Sequence, residues 1–162
     1  MCPEPAKPAR LTRVTLQQVM MPEHANFQGQ VHGGVIMKLV DEAGAISAMR
    51  HAQRQCVTVA IDSMSFLSPV QVGQLVSCTA TVHFVGRTSL EVGVTVDAED
   101  ILAARLTHTN SAYLVYVALD ADGKPVQVPG LLLETEEDRK RWEAARERQR
   151  TRLVRAGRVP GW

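Results

Sequence analysis

The chain has 162 residues, enough for one domain with a substantial core. Eighteen Lys and Arg against seventeen Asp and Glu leave a net charge of +1, which argues against a general nucleic-acid binder. No apolar run reaches the length of a membrane span, and no secretory h-region opens the chain. Its three cysteines (Cys2, Cys56 and Cys78) are widely spaced without a CxxC, so a cytoplasmic protein without structural zinc is expected.

Residues 1–10 hold three prolines and read as a flexible arm. Thr12 to Val19 alternates apolar and polar residues and reads as a strand, and Pro22 to Gln30 as a loop. A long helix is predicted from about Gly34 to His51. Cys56 to Phe66 is strand-like, and Ser68 to Gly73 is a turn. Leu75 to Val85 and Ser89 to Val96 form a hairpin across Gly86-Arg87-Thr88. A last strand spans about Leu106 to Leu119 and ends at Asp122-Gly123. One helix followed by successive antiparallel strands defines an α+β architecture with the domain over 11–133.

Residues 134–156 form a separate charged helix, before a tail over 157–162. Thr135 followed by Asp138 is a capping-box pattern. Acids lead and arginines follow, which suits the helix dipole. Its large apolar residues are only Trp142, Leu153 and Val154, so light packing and a solvated face are expected. A phosphate-binding role for its arginine-rich end is the alternative.

The most informative stretch is His32 to Ala45, HGGVIMKLVDEAGA. Ile36, Leu39, Val40, Ala43 and Ser47 recur at i, i+3, i+4, i+7 and i+11, a core stripe. Asp41 sits two turns in, beside Met37, Gly44, Ala45 and Ala48, which are small or flexible and leave room for an approaching group. A buried acid is costly unless it is paired or used. Gly33 and Gly34 open the helix, where unpaired amides and the positive end of the dipole could hold a carbonyl oxygen or the oxyanion it becomes. A buried helix whose acid pairs with a neighbour explains the same residues.

Several segments together resemble the hotdog-fold acyl-CoA thioesterases, in the cytosolic acyl-CoA hydrolase branch. They are Met20-Met-Pro-Glu-His-Ala-Asn26, Gly29-Gln-Val-His-Gly-Gly34, Met37 to Gly44, Asp62-Ser-Met-Ser-Phe-Leu-Ser-Pro69 and Val85-Gly-Arg-Thr-Ser89. The likeness runs from about Thr12 to Arg150. It implies a single hotdog domain: a long central helix wrapped by a five- to six-stranded antiparallel sheet, plus the C-terminal helix. It also implies hydrolysis of a fatty acyl-CoA thioester to free acid and CoA. Animal members look like two such domains fused, with the essential Asn and Asp split between them, whereas this chain holds both Asn26 and Asp41.

The expected roles follow. Asp41 acts as general base or nucleophile, Asn26 orients water or the thioester oxygen, and Gly33 and Gly34 polarise the carbonyl. Asn26 in a plain Asx turn is the competing explanation. For CoA, Ser65 and Phe66 would run along the pantetheine arm. Arg87, Thr88 and Ser89 would meet phosphates, unless they are only a hairpin tip. Asp41 lies about 10 Å along the helix from Gly34, too far for both to serve one carbonyl. Two antiparallel helices from a two-fold dimer could supply both, and the resemblance implies such a homodimer with shared active sites, assembling further as a trimer of dimers.

Neither cofactor nor metal is expected, and neither nucleic acid nor membrane is an expected partner. His32 beside the glycines could touch substrate. His24, His51, His83 and His108 lack zinc-ligand spacing, and the helix dipole accounts for His51. Rival readings are a non-catalytic acyl-CoA-binding hotdog protein, a hotdog dehydratase and a structural subunit without ligand. The intact Asp41 weighs against the first, and the absence of a His on its face against the second.

Overall fold

The structure, a computed structural model, describes residues 5–157. The parts of the arm and the tail that fall on residues 1–4 and 158–162 lie outside the described residues.

Two short strands and two 3-10 turns accompany the main elements. They are β1 (Lys7–Pro8), a 3-10 turn (Ala9–Thr12), β2 (Val14–Val19), a second 3-10 turn (Pro22–His24), α1 (Gly33–Ala52) and β3 (Gln55–Phe66). Then come β4 (Leu75–Val85), β5 (Ser89–Asp100), β6 (Arg105–Leu119), β7 (Leu131–Leu132) and α2 (Glu136–Arg155). Five strands form an antiparallel sheet in the order β2-β4-β5-β6-β3, and β1 pairs in parallel with β7. The expected α+β hotdog architecture is therefore present, with five strands in the main sheet.

Alternation along the strands sorts residues between two faces. Val76, Cys78, Ala80 and Val82 of β4, Leu90, Val92, Val94 and Val96 of β5, and Ala112, Leu114 and Tyr116 of β6 share one core with Ile36, Leu39, Val40 and Ala43 of α1. The apolar stripe read from the sequence is thus the face α1 turns to the sheet. Helix α1 starts where the His32 side chain caps it, accepting from Gly34 N–H through Nδ1 at 2.9 Å. It ends at Gln53, which adopts the left-handed conformation at φ 52°.

The opposite sheet face carries α2. Its capping box is formed, with Asp138 N–H donating to Thr135 Oγ1 at 3.1 Å and Thr135 N–H to Asp138 Oδ2 at 3.1 Å. As expected of a lightly packed, solvated helix, Ala145 alone in α2 is fully buried, but its inner face is anchored more firmly than its few apolar residues suggested. Trp142 lies 5.6 Å from the Phe84 ring, which a bulge between Val82 and Phe84 turns to this face. Glu91, 1% exposed, binds Arg148 Nη2 at 2.7 Å and Arg152 Nη1 at 2.8 Å. Arg152 also reaches Asp62 on β3 at 2.8 Å, and the Arg148 guanidinium stacks 3.7 Å from the Tyr113 ring centroid. Composition hid this because the anchoring groups are charges buried under a polar-looking helix.

Residues 7–10 of the predicted arm are also docked. Lys7 pairs with Leu131, its Nζ donates to His51 O at 2.9 Å, and Ala9 is buried. His51 itself is buried, with Nε2 2.9 Å from Pro129 O. Burial pushes its pKa down, which favours the neutral ring and weakens the charge–dipole explanation for its position.

Candidate active site

Asp41 is held from two strands. Thr58 Oγ1, on β3, donates to Asp41 Oδ1 at 2.7 Å. Tyr116 OH, on β6, donates to the same Oδ1 at 3.2 Å and to the Asp41 carbonyl at 3.1 Å. Thr58 and Tyr116 are register partners across the β3–β6 pair, which is why both point at one atom. Asp41 Oδ2 takes no hydrogen bond among the described residues, and the residue is half-buried. The room left by Gly44 is filled from within the chain: a Cβ there would collide with the Tyr116 hydroxyl.

Sequence reasoning missed Thr58 and Tyr116. Each is one member of a strand, and only the register between strands shows that they converge. The mid-helix Gly44 is the trace they leave in the sequence.

The two helix-start glycines differ. Gly34 N–H is taken by the His32 cap, so it is not an open donor, and His32 is committed to that bond. Gly33 N–H takes no partner among the described residues. It borders a pocket of about 290 Å³ lined by Gln30, Ile36, Phe66, Leu67 and Pro69, with the Phe66 ring 3.5 Å from where a Gly33 Cβ would stand. Asn26 forms the Asx turn: its Oδ1 accepts from Gln28 N–H at 2.9 Å and Gln30 N–H at 3.2 Å. Its carbonyl oxygen is thereby spent locally, while its amide donor group is not.

The structure does not bring Asn26, Gly33 and Asp41 into contact within one chain. Gly33 and Asp41 are eight residues apart on α1, about 12 Å along its axis. Ser65 and Phe66 point to opposite faces, since adjacent residues of a strand alternate. At the hairpin, Gly86 N–H donates to Ser89 O at 2.8 Å, and the Arg87 and Thr88 carbonyls accept from Val128 and Ala118 at 3.0 Å each. This tip lies at the other end of the sheet from Phe66: Ser89 pairs with Val117, which pairs with Val57.

Strand β3 is an edge strand, and it exposes Val57 at 43%, Val59 at 55% and Ile61 at 42%. Among the described residues no cluster of His, Cys, Asp and Glu could hold a metal, and no helix is long and apolar enough to cross a membrane.

Residues 28–104 match the thioesterase superfamily model. An uncharacterised acyl-CoA thioester hydrolase of Bacillus subtilis is 35% identical over 78% of this chain and 74% of its own length. The cytosolic acyl coenzyme A thioester hydrolase of Rattus norvegicus is 34% identical over 90% of this chain, which spans 39% of that protein. Among solved structures, an acyl-CoA hydrolase of Staphylococcus aureus bound to butyryl-CoA, CoA and CoA disulfide superposes with TM-score 0.87. It is 32% identical, over 94% of this chain and 93% of its own. A hexameric acyl-CoA thioesterase gives TM-score 0.90 and 35% identity over 94% and 98%. The chain belongs to the thioesterase superfamily, in its acyl-CoA hydrolase branch.

Proposed function

We propose that this chain's reaction, hydrolysis of a fatty acyl-CoA thioester to free acid and CoA, runs on Asp41 in a site completed by a second copy of the chain. One observation carries the reading: the Asp41 carboxylate has one oxygen fixed by two hydroxyls and the other open. One copy supplies Asp41 with Thr58, and the other supplies Gly33, Phe66 and Asn26. Edge-to-edge pairing of two antiparallel β3 strands runs two α1 helices antiparallel, so the amide end of each approaches the acid of the other. Such pairing also covers Val57, Val59 and Ile61, which an isolated chain exposes.

In this site the thioester oxygen lies against Gly33 N–H, at the positive end of α1. Gly34 joins only if the His32 ring swings away. Asp41 Oδ2 takes a proton from water as the water oxygen attacks the carbonyl carbon. The tetrahedral oxyanion then collapses, the C–S bond breaks, and CoA leaves as the thiol with the proton returned. Direct attack by Oδ2, through a mixed anhydride hydrolysed by water, uses the same atoms. Asn26 donates its amide hydrogens to the water or the oxyanion. No step calls for a metal or redox cofactor.

Structures of the Staphylococcus aureus hydrolase include alanine variants of an asparagine, an aspartate and a threonine, numbered 15 and 17 residues apart in succession. Asn26, Asp41 and Thr58 have the same types and spacings, which supports these roles. For CoA, Phe66 of the copy that supplies Gly33 lines the pantetheine path, with Ser65 turned to the opposite face, and Arg87, Thr88 and Ser89 of the copy that supplies Asp41 meet the phosphates. A cytoplasmic homodimer assembling as a trimer of dimers fits this reading, and six copies is the number in a hexameric relative. Thiol release from an acyl-CoA series, acetyl to palmitoyl, tests it. Turnover by the native chain and its loss in Asp41→Asn support the reading, and equal turnover by both rejects it.

A further inference from the structure

We propose that Tyr116 is a positioning residue for Asp41, holding the reacting carboxylate in place, and that position 44 is glycine so that the hydroxyl can pass. The inference rests on the reading of Asp41 as the group that activates water or attacks directly.

Tyr116 is fully buried on the core face of β6, 75 residues from Asp41 in sequence. Its hydroxyl binds both the carboxylate and the carbonyl of Asp41, so side chain and backbone are fixed together. A Cβ at position 44 would collide with that hydroxyl, whereas Gly44 leaves the channel open in mid-helix, where glycine costs about 1 kcal/mol relative to alanine. A core that needed only a ring here would hold a phenylalanine over a small residue with a Cβ. Burial, with the Asp41 charge next, pushes the Tyr116 pKa up, so it remains a donor across the working range.

The surroundings leave few other candidates for this control. From β3 come Thr58 and Cys56, and Cys78 is the titratable residue on the core face of β4. The faces of β2 and β5 toward α1 carry Val14, Leu16, Leu90, Val92 and Val94. On α1 itself, Lys38 and Glu42 pair with each other at 3.7 Å.

The test is the steady-state kinetics of Tyr116→Phe, which keeps the ring and removes the donor. A misplaced carboxylate loses turnover rather than binding, so kcat should fall about 3- to 10-fold with KM nearly unchanged. Gly44→Ala should give the same loss of kcat, and the double variant no more than either single one, because both remove one contact. A lowered Tm with native kcat would make Tyr116 a packing residue and overturn the proposal. If Gly44→Ala does not fold, Tyr116→Phe decides alone. Asp41→Asn in parallel separates the failures: native turnover there overturns the reading of Asp41 itself, whatever Tyr116→Phe does.

Discussion

Thr58 and Asp41, on adjacent elements joined by a short turn, meet at 2.7 Å, with the threonine hydroxyl as donor. The bond ties the acid in α1 to the edge strand that a second copy would pair with. Any shift of β3 is thereby transmitted to the Asp41 carboxylate. Thr58→Val keeps the β-branched shape and removes the donor. Turnover should fall by about 3- to 30-fold without loss of stability. Steady-state kinetics beside a thermal melt check this, and unchanged kcat would reduce the contact to surface pairing.

Asp41→Ala should fold and lose on the order of 10²-fold or more in kcat. Asp41→Asn is the cleaner form, since it preserves shape and removes the charge. Turnover within a few-fold of the native chain would exclude Asp41 as base or nucleophile.

Much of this was legible in the sequence, because local signals fixed it. The period of Ile36, Leu39, Val40 and Ala43 gave α1, alternation gave β2 and β3, the β-rich runs on either side of Gly86-Arg87-Thr88 gave β4 and β5, and Thr135 with Asp138 gave the start of α2. What stayed hidden depends on register between distant strands. Tyr116 reaches Asp41 only because β6 pairs with β3 as it does. The docking of residues 7–10 and the burial of Glu91 under Arg148 and Arg152 are likewise tertiary facts. Gly33 and Gly34 read alike in sequence, and the His32 ring distinguishes them.

Glu91 sits fully buried between two arginines of α2. Removing one partner of such a cluster strands the others, at a cost of about 3–5 kcal/mol. Glu91→Ala should lower Tm by roughly 10 °C in a domain of this size. Calorimetry reads this directly, and a shift under about 2 °C would mean that apolar contacts hold α2.

Stability should also fall in mild acid. Burial lowers the pKa of His51 and takes that of His83 down from 6.5 to about 4. Both are therefore neutral in the fold, while the unfolded chain binds protons below about pH 6.5. Their contribution is complete above that pH and is lost as pH falls toward the folded values. Each adds a slope of up to about 1.4 kcal/mol per pH unit. Denaturant melts between pH 7 and 4 measure it, and His83→Gln should flatten the curve.

Arg87→Ala should raise KM for acyl-CoA with little change in kcat, since the phosphates are remote from the bond that breaks. A partly solvated arginine–phosphate contact suggests about 1.5–3 kcal/mol, roughly 10- to 150-fold in KM. The effect should shrink for acyl-pantetheine and in high salt. Equal losses on both substrates would make Arg87 only a hairpin residue.

The shared site is tested most directly by mixing two inactive variants. After subunit exchange, Asn26→Ala with Asp41→Ala gives mixed dimers in which one site holds both intact residues and the other neither. With random exchange, activity should return to roughly a quarter of the native level. No recovery after confirmed exchange would contradict a site built from two chains.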